Sequence, residues 1–150
     1  MPLAERRAQT VWRGTLPQGS GTLTTGSGAV GELPVTWASR TERPDGKTSP
    51  EELLAAAQAS CYAMALSLTL SEAGHPPGTL RVEATCALDM VNSAPKVTTM
   101  EIRVAATVPG LDADGFQQLA KAEQLCPVAN ALRGNVAITL QAQVEQPSAA

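Results

Sequence analysis

The stretch from Thr48 to Gly74, TSPEELLAAAQASCYAMALSLTLSEAG, decides how the rest of the chain is read. Ser49 is a good helix N-cap, Pro50 suits the first helical position, and Glu52 completes a capping box three residues after the cap. From Glu51 to about Ala73 there is no glycine or proline, and the 18 residues from Leu53 to Leu70 carry no charge. Apolar side chains recur on nearly every side, so the segment reads as a long helix buried almost all round. Its length sits at the lower edge of a bilayer span, for which about 20 apolar residues is usual. Gln58, Ser60, Ser67 and Thr69 among many alanines, in a chain otherwise rich in alternating strands, favour a core helix over a membrane one.

Upstream, short β-prone pieces alternate with glycine-rich breaks: Gln9 to Arg13, Gly21 to Thr25, a Gly26-Ser27-Gly28 turn, then Glu32 to Ala38. They predict a β-meander, followed by a polar loop from Thr41 to Lys47. Downstream, Gly74 and Pro76-Pro77 end the helix, and three segments alternate with period two. Val82, Ala84, Cys86, Leu88 and Met90 share one face, as do Met100, Ile102, Val104, Ala106 and Val108. Val136, Ile138, Leu140, Ala142 and Val144 form the third such face. Between the last two strands a helix is expected from about Ala113 to Leu125, started by Asp112 or Asp114, and a shorter one opened by Cys126-Pro127 and closed by Gly134. The order βββ-α-ββ-αα-β implies a single α+β domain over residues 1–150, with antiparallel β-sheet packed on the long buried central helix. One sheet covers only one side of a helix that is apolar nearly all round, so a second copy of the chain is expected to cover the rest in a homodimer.

Bulk properties narrow the function. A chain of 150 residues fits one domain with a substantial core. Its 11 basic and 14 acidic residues, net charge -3, are spread along the chain, with no basic stripe for nucleic acid and no polybasic segment for a membrane surface. No apolar stretch follows Glu5, Arg6 and Arg7, so the protein is expected in the cytoplasm. Three cysteines argue against a secreted disulfide framework. With no C-x-x-C pair and His75 as the one histidine, a four-ligand zinc site is disfavoured.

The cysteines read differently from one another. Cys86 lies in register with the apolar face of its strand and reads as a small buried hydrophobe. Cys61, mid-helix, is by periodicity either a core residue or a functional one. Cys126 directly precedes a proline at a helix start, where unpaired backbone N–H groups lower a thiol pKa, so a weak cap and a redox role both suit it.

The helix from Thr48 to Ser67, with Pro50-Glu51-Glu52-Leu53 at its start and Cys61 within it, closely resembles the first-cysteine helix of the OsmC/Ohr peroxidases. Cys126-Pro127-Val128-Ala129 resembles their second-cysteine motif, in the right order and at the family's separation. The resemblance extends through Val108-Pro109-Gly110-Leu111-Asp112 and the closing strand, from about Trp12 to Val144. It implies an intertwined homodimer with antiparallel sheets around central helices. It also implies that Cys61 is the peroxidatic cysteine, Cys126 the resolving cysteine and Glu51 the glutamate that opens the helix. The family's catalytic arginine lies in an early glycine-flanked loop in the Ohr branch and just before the loop leading to the helix in the OsmC branch. Arg40 in Ala38-Ser39-Arg40-Thr41 matches the second placement, which is similar to the OsmC branch. The sequence departs from the pattern at Gln58, where relatives often carry histidine or tyrosine, in a slightly long loop before Thr48, and at Thr41, where an aromatic is usual.

Peroxide cleavage needs a thiolate and help for the leaving oxygen. A mid-helix cysteine gains little from the helix dipole, which fades within the terminal turn, so a cation is required. Arginine stays charged when partly buried, and a carboxylate can fix its planar fork. Glu51 and Cys61 are separated by about 15 Å of helix at ~1.5 Å per residue and cannot meet directly inside one subunit, so either Arg40 bridges them or the partner chain contributes, and a site shared across the dimer is favoured. Cys61 oxidised to a sulfenic acid would condense with Cys126 to a disulfide, and an external dithiol would close the cycle. The resemblance suggests a lipoyl-type reductant, and no metal, haem or flavin signature is present in the sequence. A thiol redox sensor and a non-catalytic dimeric binder are the competing functions. The single Phe116 leads to the expectation of a substrate pocket built mainly from leucine, methionine and alanine.

Overall fold

A computed structural model of the chain describes residues 1–145. The chain forms two compact units, Met1–Leu53 and the remainder from Leu54.

In the first unit, β1 (Ala8–Arg13), β2 (Ser20–Thr25) and β3 (Leu33–Val35) make an antiparallel meander in that order. The sequence predicts a third strand running on to Ala38, but the chain turns at Thr36 into a short helix, α1 (Trp37–Thr41). A reciprocal capping box decides this: Ser39 N donates to Thr36 Oγ1 and Thr36 N donates to Ser39 Oγ, both at 3.0 Å. Two orphan N–H groups are thereby satisfied where an extended chain would have left them open. Ser39 Oγ also donates to the Thr48 carbonyl at 2.8 Å, and Thr48 N donates to the Pro34 carbonyl at 2.9 Å. These bonds tie the loop before the long helix to the meander.

The long helix, α2, spans Pro50–Glu72. Ser49 caps it as expected, accepting from Glu52 N at 3.1 Å. The Glu52 carboxylate accepts from the Thr48 hydroxyl at 2.7 Å, so the residue before the cap takes the place predicted for the cap's own N–H. By length and composition α2 is apolar enough to cross a bilayer. In the fold Gln58, Tyr62, Ala65, Leu66 and Leu70, which recur about once per helical turn with Ala65 and Leu66 adjacent, form a face buried in protein. Burial is not all round within one chain, because Met64 is 71% exposed and Leu68 52%.

That buried face meets the inner faces of a second sheet, order β4 (Thr79–Val91), β5 (Ala94–Thr107), β6 (Ala137–Val144). Met100, Ile102, Val104, Ala106 and Val108 are all buried, as their alternation predicts. The hairpin between β4 and β5 turns on Asn92 and Ser93, both left-handed at φ 51° and 65°, the conformation that a two-residue turn requires to match strand twist. β6 corrects one expectation: it pairs with β5 in parallel, Thr99 beside Ala137 through Ala106 beside Val144. The link between them is a helical crossover, which returns the chain to the end where β5 began. The crossover holds α3 (Ala113–Leu119), a 3-10 turn (Glu123–Leu125) and α4 (Pro127–Leu132). α3 stops short of the predicted Leu125. Tyr62 Oη donates to the Ala120 carbonyl at 2.6 Å, occupying the acceptor that continued helix would use.

Candidate functional site

The predicted site residues come together as two pairs. Arg40 and Glu51 meet in the first unit, while Cys61 and Cys126 meet in the second.

Arg40 rides on α1, and Glu51 stands in the first turn of α2. Arg40 Nε lies 3.0 and 3.1 Å from the two Glu51 carboxylate oxygens, and Nη2 lies 2.7 Å from Oε1. Two N–H donors along one edge of the guanidinium fork are thus spent on one carboxylate, which fixes its plane and orientation. The carboxylate side chain is 8% exposed and the guanidinium 33%, so the arginine keeps an accessible face. Its Cζ sits 5.9 Å from the centre of the Trp37 ring, a cation–π contact that restrains it from a second side. Capping at Thr36 makes α1, α1 presents Trp37 and Arg40 together, and the ion pair anchors both to α2.

Beside Arg40 lies a cleft of about 510 Å³ lined by Trp12, Leu16, Leu23, Val35, Trp37 and Leu53, with Thr10, Thr36 and Pro50. Apolar walls ending at a fixed cation suit a ligand with an organic body and a polar oxygen head. The expectation was a pocket built mainly from leucine, methionine and alanine, and this cleft has aromatic walls as well. Phe116 is spent in the core, and both tryptophans line the cleft instead. The tryptophans lie 25 residues apart in the sequence, and only the meander folds them onto one opening.

In the second unit Cys61, half-buried, projects from the middle of α2 toward the start of α4, where Cys126 is the N-cap and wholly buried. Cys126 Sγ accepts from Ala129 N at 3.5 Å and from Gln58 Nε2 at 3.4 Å. The Cys61 thiol is pushed above its ordinary value. Burial is the largest cause, the neighbouring Cys126 thiol adds to it, and a hydrogen bond from the Val128 backbone opposes it. These surroundings leave Cys61 protonated at neutral pH, so activation requires a cation beyond them. Tyr62, one residue on, is likewise raised, by burial first and then by the Glu123 carboxylate, and stays a hydrogen-bond donor.

Sequence reasoning noted Gln58 only as a departure from a pattern. It is a fully buried carboxamide touching the sulfur of Cys126, and its Oε1 has no hydrogen-bond partner. Its position three residues before Cys61 was the available signal, since residues so spaced share a helix face. Among the described residues no group of three His, Cys, Asp or Glu side chains converges to hold a metal. Cys86 is half-buried on β4, packed against the core as its strand register predicts.

Comparison with known proteins gives a consistent picture. The family described as OsmC-like protein matches residues 43–141. Peroxiredoxin OsmC of Escherichia coli strain K12 is 38% identical over 139 residues, covering 91% of this chain and 95% of its own. An organic hydroperoxide resistance protein of Xanthomonas axonopodis is 34% identical over 95 residues, covering 62% of this chain and 65% of its own. Among solved structures, an organic hydroperoxide resistance protein OsmC from Legionella pneumophila superposes with a TM-score of 0.73 at 24% identity, over 96% of this chain and all of that one. One from Elizabethkingia anophelis, with thiocyanate bound, gives 0.71 at 25% identity over the same shares.

Proposed function

This chain belongs to the OsmC-like family, and we propose that it is a thiol peroxidase that reduces organic hydroperoxides to alcohols, with Cys61 as the attacking thiolate and Cys126 as the resolving thiol. The observation that carries the reading is the pairing of the two thiols, one on α2 and the other capping α4, in a chain whose relatives are named peroxiredoxin and organic hydroperoxide resistance protein. The Cys61 thiolate attacks one peroxide oxygen, the O–O bond breaks, and the departing alkoxide takes a proton to leave as the alcohol. Cys126 then displaces hydroxide from the Cys61 sulfenic acid, and an external dithiol of lipoyl type restores both thiols.

Arg40 is the cation that holds Cys61 ionised and steadies the leaving oxygen, and Glu51 keeps its fork in place. The chain works as one OsmC-like domain in a cytoplasmic homodimer whose two copies share each site. The tryptophan-walled cleft beside Arg40 favours hydroperoxides with a bulky apolar or aryl body over hydrogen peroxide.

The test is steady-state consumption of cumene hydroperoxide with dihydrolipoamide as reductant. Wild type turns over many times, Cys61→Ser has no activity, and Arg40→Ala loses about a hundredfold in kcat/KM, the usual effect of removing one preorganised stabiliser of developing charge. A folded wild type that consumes one equivalent of peroxide and stops would move the function to a redox sensor. One that consumes none would move it to a binder.

A further inference from the structure

The second unit contains a buried side chain that the two-cysteine cycle leaves without a role. Gln58 is 0% exposed, donates from Nε2 to Cys126 Sγ at 3.4 Å, and carries an Oε1 that is buried with no partner. A buried amide with half its bonding capacity unused is costly, and well-packed cores avoid it. An apolar residue of the same size would have filled the space on this otherwise apolar face of α2, between Leu54 and Tyr62, at no such cost.

We propose that Gln58 is the positioning residue of the resolving step, bridging the two sulfurs between peroxide attack and disulfide closure. The inference rests on the peroxidase reading for its place in the cycle. Its N–H holds Cys126 in the rotamer facing α2 and, together with Ala129 N at 3.5 Å, points a donor at the sulfur as it becomes a thiolate. Besides the Cys61 thiol, Gln58 and the Ala129 amide are the groups hydrogen-bonded to the Cys126 sulfur, so these two steady the charge.

The unused oxygen finds its partner only after the first step. Attack on the hydroperoxide turns Cys61 from a thiolate into a sulfenic acid, which brings one new O–H donor. Gln58 and Cys61 share a helix face at the i, i+3 spacing, with about 5–6 Å between Cβ atoms, within reach of that O–H. With the sulfenic oxygen held by Oε1, its sulfur is turned toward Cys126. The Cys126 sulfur then bonds to the Cys61 sulfur, the S–O bond breaks, and the hydroxide leaves with the Cys126 proton as water.

The resolving step can be read without peroxide. An aromatic disulfide, dithionitrobenzoate, is met first by the half-buried Cys61, forming a mixed disulfide and releasing one coloured thiolate. Cys126 displaces the second as it closes the Cys61–Cys126 bond. Release from the Cys126→Ser protein supplies the baseline for any reaction elsewhere, Cys86 included. In Gln58→Met, which keeps the volume and loses the donor, the ratio of second to first release rates falls about ten- to hundredfold, the effect of one hydrogen bond to a charged group. Gln58→His, which retains a ring N–H, recovers most of that ratio, whereas a purely structural role would leave the two variants alike.

If Gln58→Met does not fold, Gln58→Leu, which also lacks the donor, is read in the same way and gives a similarly lowered ratio. A ratio within twofold of wild type in the folded variant overturns the proposal. This outcome is separate from the fate of the peroxidase reading: wild type that fails to turn over cumene hydroperoxide yet shows the Gln58-dependent ratio loses the substrate and keeps the residue's role.

Discussion

The role proposed for Arg40 makes a prediction about Cys61 that can be read without turnover. In the proposed site the guanidinium offsets what the chain itself imposes on Cys61: burial, which raises its pKa most, the Cys126 thiol, which raises it further, and the Val128 N–H, which opposes them. The net direction is upward, so less thiolate is present at any pH below the midpoint. Arg40→Ala should therefore shift the pH profile of Cys61 alkylation to higher pH and slow alkylation at pH 7, and a profile unchanged from wild type would remove Arg40 from the site. Glu51→Gln should give a smaller shift in the same direction, because the arginine keeps its charge but loses the carboxylate that orients it. Tyr62→Phe tests structure rather than chemistry. It leaves the buried Ala120 carbonyl without its donor, and a cost of about 1–3 kcal/mol is expected as a lower urea midpoint at unchanged m-value. Cys61, Cys126, Arg40 and Glu51 were all legible as candidates because the motifs that carry them are local. Gln58 was not, because its burial and its bond to Cys126, 68 residues away, exist only in the folded chain.

At the scale of elements, helix start signals were more reliable than the expected ends. Ser49 caps α2 as its spacing indicates, and Ser49→Ala should cost about 1 kcal/mol by denaturant unfolding, since Glu52 N would lose its acceptor. The Thr36 capping box was hidden inside a β-prone run, where a threonine and a serine three apart look like strand residues until their hydroxyls turn inward. The three alternating segments were correctly read as strands with one face packed toward the core, although Met90, placed on that face of β4, is 69% exposed. Alternation reports which side chains share a face and is blind to strand direction, so the parallel pairing of β6 with β5 could come only from the path of the crossover.

For the molecule as a whole, the exposed apolar ridge of α2 is a demand that one chain leaves unmet. Met64 and Leu68 lie one turn apart at 71% and 52% exposure on a helix whose opposite face is buried. In the proposed homodimer this ridge is covered. Sedimentation at micromolar concentration should give twice the chain mass of 15.5 kDa, and Leu68→Lys should shift the population toward monomer by placing a charge where an apolar contact is needed. A monomeric wild type would remove the dimer and the shared site together. The sequence by itself determined the elements with strong local codes, namely the capped apolar helix, the alternating strands and the two cysteine motifs, because capping and periodicity are satisfied within a few residues. Tertiary structure alone decided the Arg40–Glu51 clamp with Trp37 beneath it, the two-tryptophan cleft, the direction of β6 and the burial of Gln58 against Cys126. Each of these depends on residues far apart in the chain being brought to within hydrogen-bond or van der Waals distance, and no local pattern encodes that distance.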